Sequence, residues 1–90
     1  MKLDLLLDGL PISAKGGNLT VEVQGLAYDS RKVKPGDLFV AIRGSRDDGH
    51  RHITEAVAKG ARALLLQEPP PEGSQVPWAT VPDTREALAR

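Results

Sequence analysis

Two short runs of apolar residues, 38–42 (LFVAI) and 63–66 (ALLL), constrain the fold more than any other feature of the sequence. They predict strands over residues 38–42 and 63–67, because continuously apolar strands are typical of a sheet covered on both faces. Between them, apolar residues recur at helical spacing (Ile53, Ala56, Val57), and Gly60 suits a helix C-cap. Residues 50–59 are therefore predicted to be helical. Strand, helix and strand in this order predict two parallel strands joined by a crossover.

Weaker patterns surround this unit. Leucines at helical spacing predict a short helix over residues 2–9, and turn-forming residues predict a loop over 13–18. Alternation predicts a half-buried strand over 19–24, and short strands are expected over 26–28 and 78–81. The expected fold class is therefore α/β, with a small mixed sheet of about four or five strands and flanking helices.

Two local motifs predict a turn and a helix start. Lys34-Pro35-Gly36-Asp37 suits a type II turn, with proline and glycine at its central positions. Asp83 is placed as an N-cap, with Glu86 three residues later. A helix beginning near residue 84 has only two turns before Arg90, which favours a longer protein of which residues 1–90 are the first domain.

Charge and composition exclude several function classes. Twelve basic residues balance twelve acidic ones, which argues against a nucleic-acid binder held by a basic face. There is no cysteine, and no apolar run approaches the length of a membrane span, about 20 residues. Acids at Asp4 and Asp8 interrupt the apolar N-terminus and make it a poor signal peptide. A cytoplasmic protein without a membrane partner is expected.

Catalytic and metal-binding motifs are absent from the sequence. It has neither the G-x-x-x-x-G-K-[ST] phosphate loop nor the G-x-G-x-x-G fingerprint. His50 and His52 are two residues apart and would point to different faces of a helix, so helix capping or surface exposure is favoured over a metal site. No catalytic residue and no metal ligand is predicted in this chain.

The loop after residue 42 is the best candidate for a ligand site. It leads from the carboxyl end of a predicted strand into a helix, where open α/β sheets bind ligands. Gly44 and Gly49 allow the backbone to present N–H groups, and Ser45 and Arg46 add polar side chains suited to a small anionic or polar ligand. The alternative is structural: Asp47 and its neighbour Asp48 cap the helix and the arginines neutralise them.

Asp29-Ser30-Arg31 also allows two interpretations. An Asx-type turn that ends a strand is one. The other is a site in which the serine hydroxyl and main-chain groups are offered to a ligand.

Residues 28–66 (YDSRKVKPGDLFVAIRGSRDDGHRHITEAVAKGARALLL) resemble the N-terminal domain of the Mur ligases of peptidoglycan synthesis. The similarity rests on DSR, PGDLFVA, the DGH loop and a helix ending in GARA, and VPDTREALA resembles the segment that leads out of that domain. The resemblance implies a uridine-nucleotide-binding domain within a three-domain, ATP-dependent ligase. ATP, magnesium and the incoming amino acid would be bound by the other domains, so residues 1–90 alone are expected to be inactive.

Within the family, MKLDLLLDGLPI favours the MurE branch, which adds the third residue of the stem peptide to UDP-MurNAc-L-Ala-D-Glu. The MurF branch, which extends the tripeptide with a dipeptide, is the alternative inside the family. A non-enzymatic α/β interaction domain is the alternative outside it.

The resemblance also implies which residues contact the substrate. Uridine contacts would come from Tyr28, Ser30, Ser45, Arg46 and Asp47. Tyr28 stands where leucine is frequent, and Ser45-Arg46-Asp47 stands where some members have His-Gln-Ala. Tyr28 is expected to stack on the uracil ring or meet its edge, while main-chain groups supply contacts at Ser45, Arg46 and Asp47.

Overall fold

The computed structural model of the chain describes residues 2–42, 52–70 and 76–88. The helices are α1 (Leu3–Leu7), α2 (Ile53–Ala58) and α3 (Thr84–Leu88), and a 3₁₀ turn spans Ser30–Lys32. The strands are β1 (Ala14–Gly16), β2 (Gly25–Ala27), β3 (Asp37–Val40), β4 (Ala63–Leu66) and β5 (Trp78–Thr80).

The five strands form one mixed sheet in the order β1-β5-β4-β3-β2. β2, β3, β4 and β5 run parallel to one another, and β1 runs antiparallel to β5. The α/β class, the strand number and the parallel pairing of the two apolar strands are confirmed. α2 connects β3 to β4, as the helical spacing predicted.

Both faces of the sheet are covered, and alternate residues of the central strands face opposite sides. Leu38, Val40 and Leu65 pack with α1 in one cluster of buried side chains. Phe39 and Leu66 pack on the other face, with residues of α2. This double coverage explains why β3 and β4 are apolar without alternation.

The turn before β3 has the predicted type II geometry. Gly36 has φ +92°, and the backbone N–H of Asp37 donates to the carbonyl of Lys34 at 3.1 Å. The carboxylate of Asp37 folds back and accepts from the backbone N–H of Lys34 at 3.0 Å. The turn therefore sets where β3 begins.

The prediction of a strand over residues 19–24 is wrong. This segment contains only an isolated bridge from Glu22 to Lys2. Two of its carbonyls accept hydrogen bonds from another element. Those of Val21 and Leu19 accept from the N–H groups of Leu3 and Asp4 at the start of α1, at 2.9 and 2.8 Å. The alternation reflects the burial of Val23 and the partial burial of Leu19 and Val21, but not strand pairing.

The prediction of a loop over residues 13–18 is also wrong, because β1 pairs with β5 at the edge of the sheet. Gly16 has a packing role there: a Cβ on Gly16 would lie 2.6 Å from Nε1 of Trp78. Gly16 was expected to be part of a loop. It is instead a strand residue that must be glycine, because the indole ring of Trp78 leaves no room for a side chain.

The start of α3 follows the predicted capping pattern. The carboxylate of Asp83 accepts from the backbone N–H groups of Arg85 and Glu86, at 2.9 and 3.2 Å. In the described part of the chain, no helix has the length and apolarity needed to cross a bilayer.

Candidate functional site

A cleft lies at the carboxyl ends of β2 and β3, where α2 begins. Because these strands are parallel, with Ala27 opposite Phe39, the segments that leave them emerge at the same edge of the sheet. The cleft has a volume of about 540 Å³, within the range of small-molecule sites. The described residues that line it come from three elements: Tyr28, Asp29, Ser30, Arg31, Phe39, Ile42, His52 and Glu55.

Asp29-Ser30-Arg31 forms one wall of the cleft as a tightly bonded turn. The carboxylate of Asp29 accepts from the backbone N–H of Arg31 at 3.0 Å, which is the predicted Asx-type turn. The guanidinium of Arg31 donates two further hydrogen bonds to the same carboxylate, at 3.1 and 3.0 Å. These side-chain bonds, followed by the backbone bond, lower the pKa of Asp29 from 3.8 to about 2.

Ser30 and Glu55 connect this wall to α2. The Ser30 side chain is buried, and its hydroxyl donates to Oε1 of Glu55 at 2.5 Å. One helical turn further along, Nζ of Lys59 donates to the carbonyl of Arg31 at 3.1 Å. One bond from α2 and one from its C-cap residue therefore hold the 3₁₀ turn in place.

Tyr28 supplies an exposed aromatic surface at the mouth of the cleft. Its side chain is 65% exposed, although it directly follows the buried Ala27 of β2. An aromatic ring held at a strand end, beside hydrogen-bonding groups, is suited to stack on a planar base.

A second, larger groove of about 810 Å³ follows the free edge of β2 on the other side of the same turn. It shares Tyr28 and Arg31 with the cleft but extends to Lys34 and Asp37, toward the opposite end of β3. The cleft is the stronger candidate because it lies at the strand carboxyl ends and the helix start, where α/β sheets bind ligands.

Comparison with known proteins decides the family. The profile described as "Mur ligase family, catalytic domain" matches residues 22–90, more than two thirds of the chain. The chain belongs to the Mur ligase family. The predicted resemblance is confirmed.

Curated relatives match over almost the whole chain. The UDP-N-acetylmuramoyl-L-alanyl-D-glutamate--2,6-diaminopimelate ligase of Syntrophomonas wolfei is 46% identical over 99% of the chain. The ligase of the same name from Clostridium perfringens is 42% identical over 99%. In each case the chain spans only 18% of the relative's length.

Solved structures of Mur ligases share the fold. A MurF from Acinetobacter baumannii has a TM-score of 0.75 and 27% identity, covering 97% of this chain and 18% of that one. The MurF of Thermotoga maritima, solved in complex with ADP, has a TM-score of 0.64 and 31% identity, covering 74% and 15%.

The structure places two of the five predicted contact residues of this Mur ligase domain. Tyr28 and Ser30 both line the cleft, with Asp29 between them on the same wall. Ser45, Arg46 and Asp47 lie outside the described residues. Ile42 and His52, the nearest described residues before and after them, line the same cleft.

Other lining residues were not predicted from the sequence. Glu55 contributes the acceptor for Ser30, yet an acidic residue in the first turn of a helix is ordinary, so no sequence signal pointed to it. Helix capping or surface exposure was expected of the two histidines. His52 occupies the N-cap position of α2 without a side-chain capping bond and is partly buried, and His50 lies outside the described residues.

Metal-ligating side chains do not cluster in the described structure. Within residues 2–42, 52–70 and 76–88, no group of three or more His, Asp or Glu side chains is placed to hold a metal ion.

Proposed function

We propose that this chain is the uridine-nucleotide-binding domain of a Mur ligase of the MurE branch. The full-length enzyme would add the third amino acid to UDP-MurNAc-L-Ala-D-Glu during peptidoglycan synthesis. The observation that carries the proposal is the cleft in which Tyr28 and Ser30, two of the expected uridine contacts, share one wall.

The chemistry of uracil fits such a cleft. The base presents one N–H donor and two carbonyl acceptors on a flat ring. The ring of Tyr28 offers a stacking surface, and the bonded turn at residues 29–31 offers polar groups whose positions are already fixed. Since each neutral hydrogen bond contributes only about 0.5–1.5 kcal/mol net, these contacts orient the substrate rather than transform it.

Binding at this end of the substrate would support a reaction that happens elsewhere. Binding energy gained far from the reacting group can be used to position that group. The reaction implied by the family is activation of the terminal carboxylate as an acyl phosphate, followed by attack of the amino acid's amine. We assign no catalytic residue to this chain.

The MurE branch is supported by sequence similarity. The curated relatives at 46% and 42% identity are named as UDP-N-acetylmuramoyl-L-alanyl-D-glutamate--2,6-diaminopimelate ligases. Diaminopimelate is therefore the first amino acid to test. The MurF branch is the second candidate, because the fold is similar to MurF structures. Their sequence identities to this chain, 27% and 31%, are lower than those of the curated relatives.

ATP and magnesium are proposed as cofactors of the full-length enzyme, not of residues 1–90 alone. The described residues offer no cluster of metal ligands. Because the chain spans 18% of its curated relatives, we place the ATP and amino-acid sites in further domains of the same protein. Those domains and the UDP-linked substrate are its proposed partners.

An amide-shift titration tests the binding function. The ¹⁵N-labelled chain is titrated with UDP-MurNAc-L-Ala-D-Glu, and shifts are expected to cluster at residues 28–31 and 44–50. A matched titration with ADP controls for binding of the ribose and diphosphate without uracil. Saturating UDP-linked ligand that moves neither stretch contradicts the proposal and favours the interaction-domain alternative.

The branch is tested with the full-length protein. Incubation with ATP, UDP-MurNAc-L-Ala-D-Glu and diaminopimelate should yield the tripeptide product by mass spectrometry. Product formation only from the UDP-linked tripeptide and D-Ala-D-Ala would assign the MurF branch instead.

A further inference from the structure

The hydrogen bond between Ser30 and Glu55 determines what the serine can offer to a ligand. A hydroxyl has one proton to donate and two lone pairs to accept with. A carboxylate carries no proton, so in the bond between Ser30 and Glu55 the serine is the donor. The only hydroxyl proton of Ser30 is therefore committed to α2.

The surrounding bonds fix the backbone that carries the hydroxyl. The carboxylate of Asp29, the nearest competing acceptor in sequence, already accepts three bonds from the backbone and guanidinium of Arg31. Lys59 holds the carbonyl of Arg31, so the turn and the helix keep their spacing. Toward the cleft, Ser30 can then only accept.

We infer that Glu55 is a positioning residue that makes Ser30 an acceptor for the N3–H of uracil, and that this bond discriminates uridine from cytidine nucleotides. The inference rests on the proposed function. Uracil carries a proton at N3, whereas cytosine has a lone pair there. A cytosine in the same place would direct its lone pair at the oxygen lone pairs of Ser30.

The size of the effect follows from the value of one hydrogen bond. A neutral bond gained by the correct base, together with an unpaired acceptor for the wrong one, gives a preference of about tenfold. UDP and CDP are suitable probes because they share ribose and diphosphate and differ only along the base edge at N3 and C4.

Three variants of the chain separate positioning from mere structural support. Removing Glu55 with Glu55→Ala frees the Ser30 hydroxyl to rotate and donate to cytosine N3. The UDP-to-CDP ratio of dissociation constants should then approach one, mainly through tighter CDP binding. Glu55→Gln keeps an amide carbonyl that can accept from Ser30, so it should restore the preference. Ser30→Ala should abolish it by weakening UDP binding.

Calorimetric titration of the wild-type chain and the variants with UDP and CDP is the experiment. Glu55 is solvent-exposed, so the alanine variant is expected to fold, which the amide spectrum checks. As a second readout, the imino proton of bound UDP should exchange with water more slowly in wild type than in Ser30→Ala.

The outcomes are distinguishable. A wild-type chain that does not bind UDP overturns the proposed function and this inference with it. UDP binding without preference over CDP, or a preference that survives both Glu55→Ala and Ser30→Ala, overturns only the inference. Equal losses for UDP and CDP in Glu55→Ala assign Glu55 a purely structural role.

Discussion

Gly60 packs directly against Pro35: a Cβ built on Gly60 would lie 2.8 Å from the Cα of Pro35. Gly60 also has φ +105°, and its carbonyl accepts from the backbone N–H of Gly36 at 2.9 Å. The end of α2 is thereby attached to the turn that starts β3. Since α2 also carries Glu55, this contact helps set the spacing of the cleft.

Gly60→Ala should strongly destabilise the fold. The positive φ costs an alanine about 1–2 kcal/mol, and forcing a methyl group against Pro35 adds about 1–3 kcal/mol. Urea unfolding followed by circular dichroism measures the loss in the free energy of unfolding. Gly9→Ala is the matched control, because Gly9 has φ +85° but a Cβ added to it would meet no atom within 4 Å. Equal losses in the two variants would show that the Pro35 contact adds nothing.

Asp29 should titrate far below an ordinary aspartate. Its pKa is lowered from 3.8 to about 2 by bonds from Arg31, so its contribution to stability is fully present above pH 4. That contribution is lost as the pH falls from about 4 to about 2, because the unfolded chain then binds the proton more readily. Carboxyl ¹³C shifts of the labelled chain measure the titration directly.

Arg31→Leu should raise the pKa of Asp29 only part of the way toward 3.8. It removes the side-chain bonds, the largest cause of the shift, but leaves the backbone N–H bond of residue 31. Lys32→Leu is the control, since Lys32 is the smallest of the contributions to the lowered pKa. A larger effect from Lys32 than from Arg31 would contradict the assigned cause.

Elements defined by residues close in sequence were predictable. The type II turn needs proline and glycine at its two central positions, and both are present. The strand, helix and strand of residues 38–67 were equally clear, because two covered strands and an amphipathic helix each leave their own pattern. From that unit alone, a ligand site was expected at the strand carboxyl ends, and the cleft lies there.

Contacts between distant residues were not predictable. Ser30 and Glu55 are 25 positions apart, and only the packing of α2 on the 3₁₀ turn brings them together. Gly16 likewise gave no sign that Trp78 would lie against it. The role of Ser30 as donor to Glu55, and thus as acceptor toward a ligand, needed the folded arrangement.

Thr84→Val should destabilise the junction of α3 with β3. Thr84 is fully buried, and its hydroxyl lies 2.9 Å from both the carbonyl of Ala41 and Oε1 of Gln67. Valine keeps the shape but removes the donor, at a cost of about 1–3 kcal/mol in the free energy of unfolding. Thr80→Val is the control, because the hydroxyl of Thr80 lies as far as 3.4 Å from the carbonyl oxygen of Ala14, so that hydrogen bond is weak. A larger loss in Thr80→Val would refute the importance of the Thr84 bonds.

Tyr28→Ala should weaken UDP binding by at least about fivefold, because stacking of a base on an aromatic ring contributes about 1–3 kcal/mol. Tyr28→Phe keeps the ring and should bind UDP like the wild type, which separates stacking from any bond made by the hydroxyl. Leu5→Ala removes a similarly exposed side chain, 68% accessible on α1 and outside the cleft, and should leave binding unchanged. Isothermal titration of the three variants with UDP measures these affinities. If Tyr28→Ala binds as tightly as Leu5→Ala, the ring does not contribute to binding of the base.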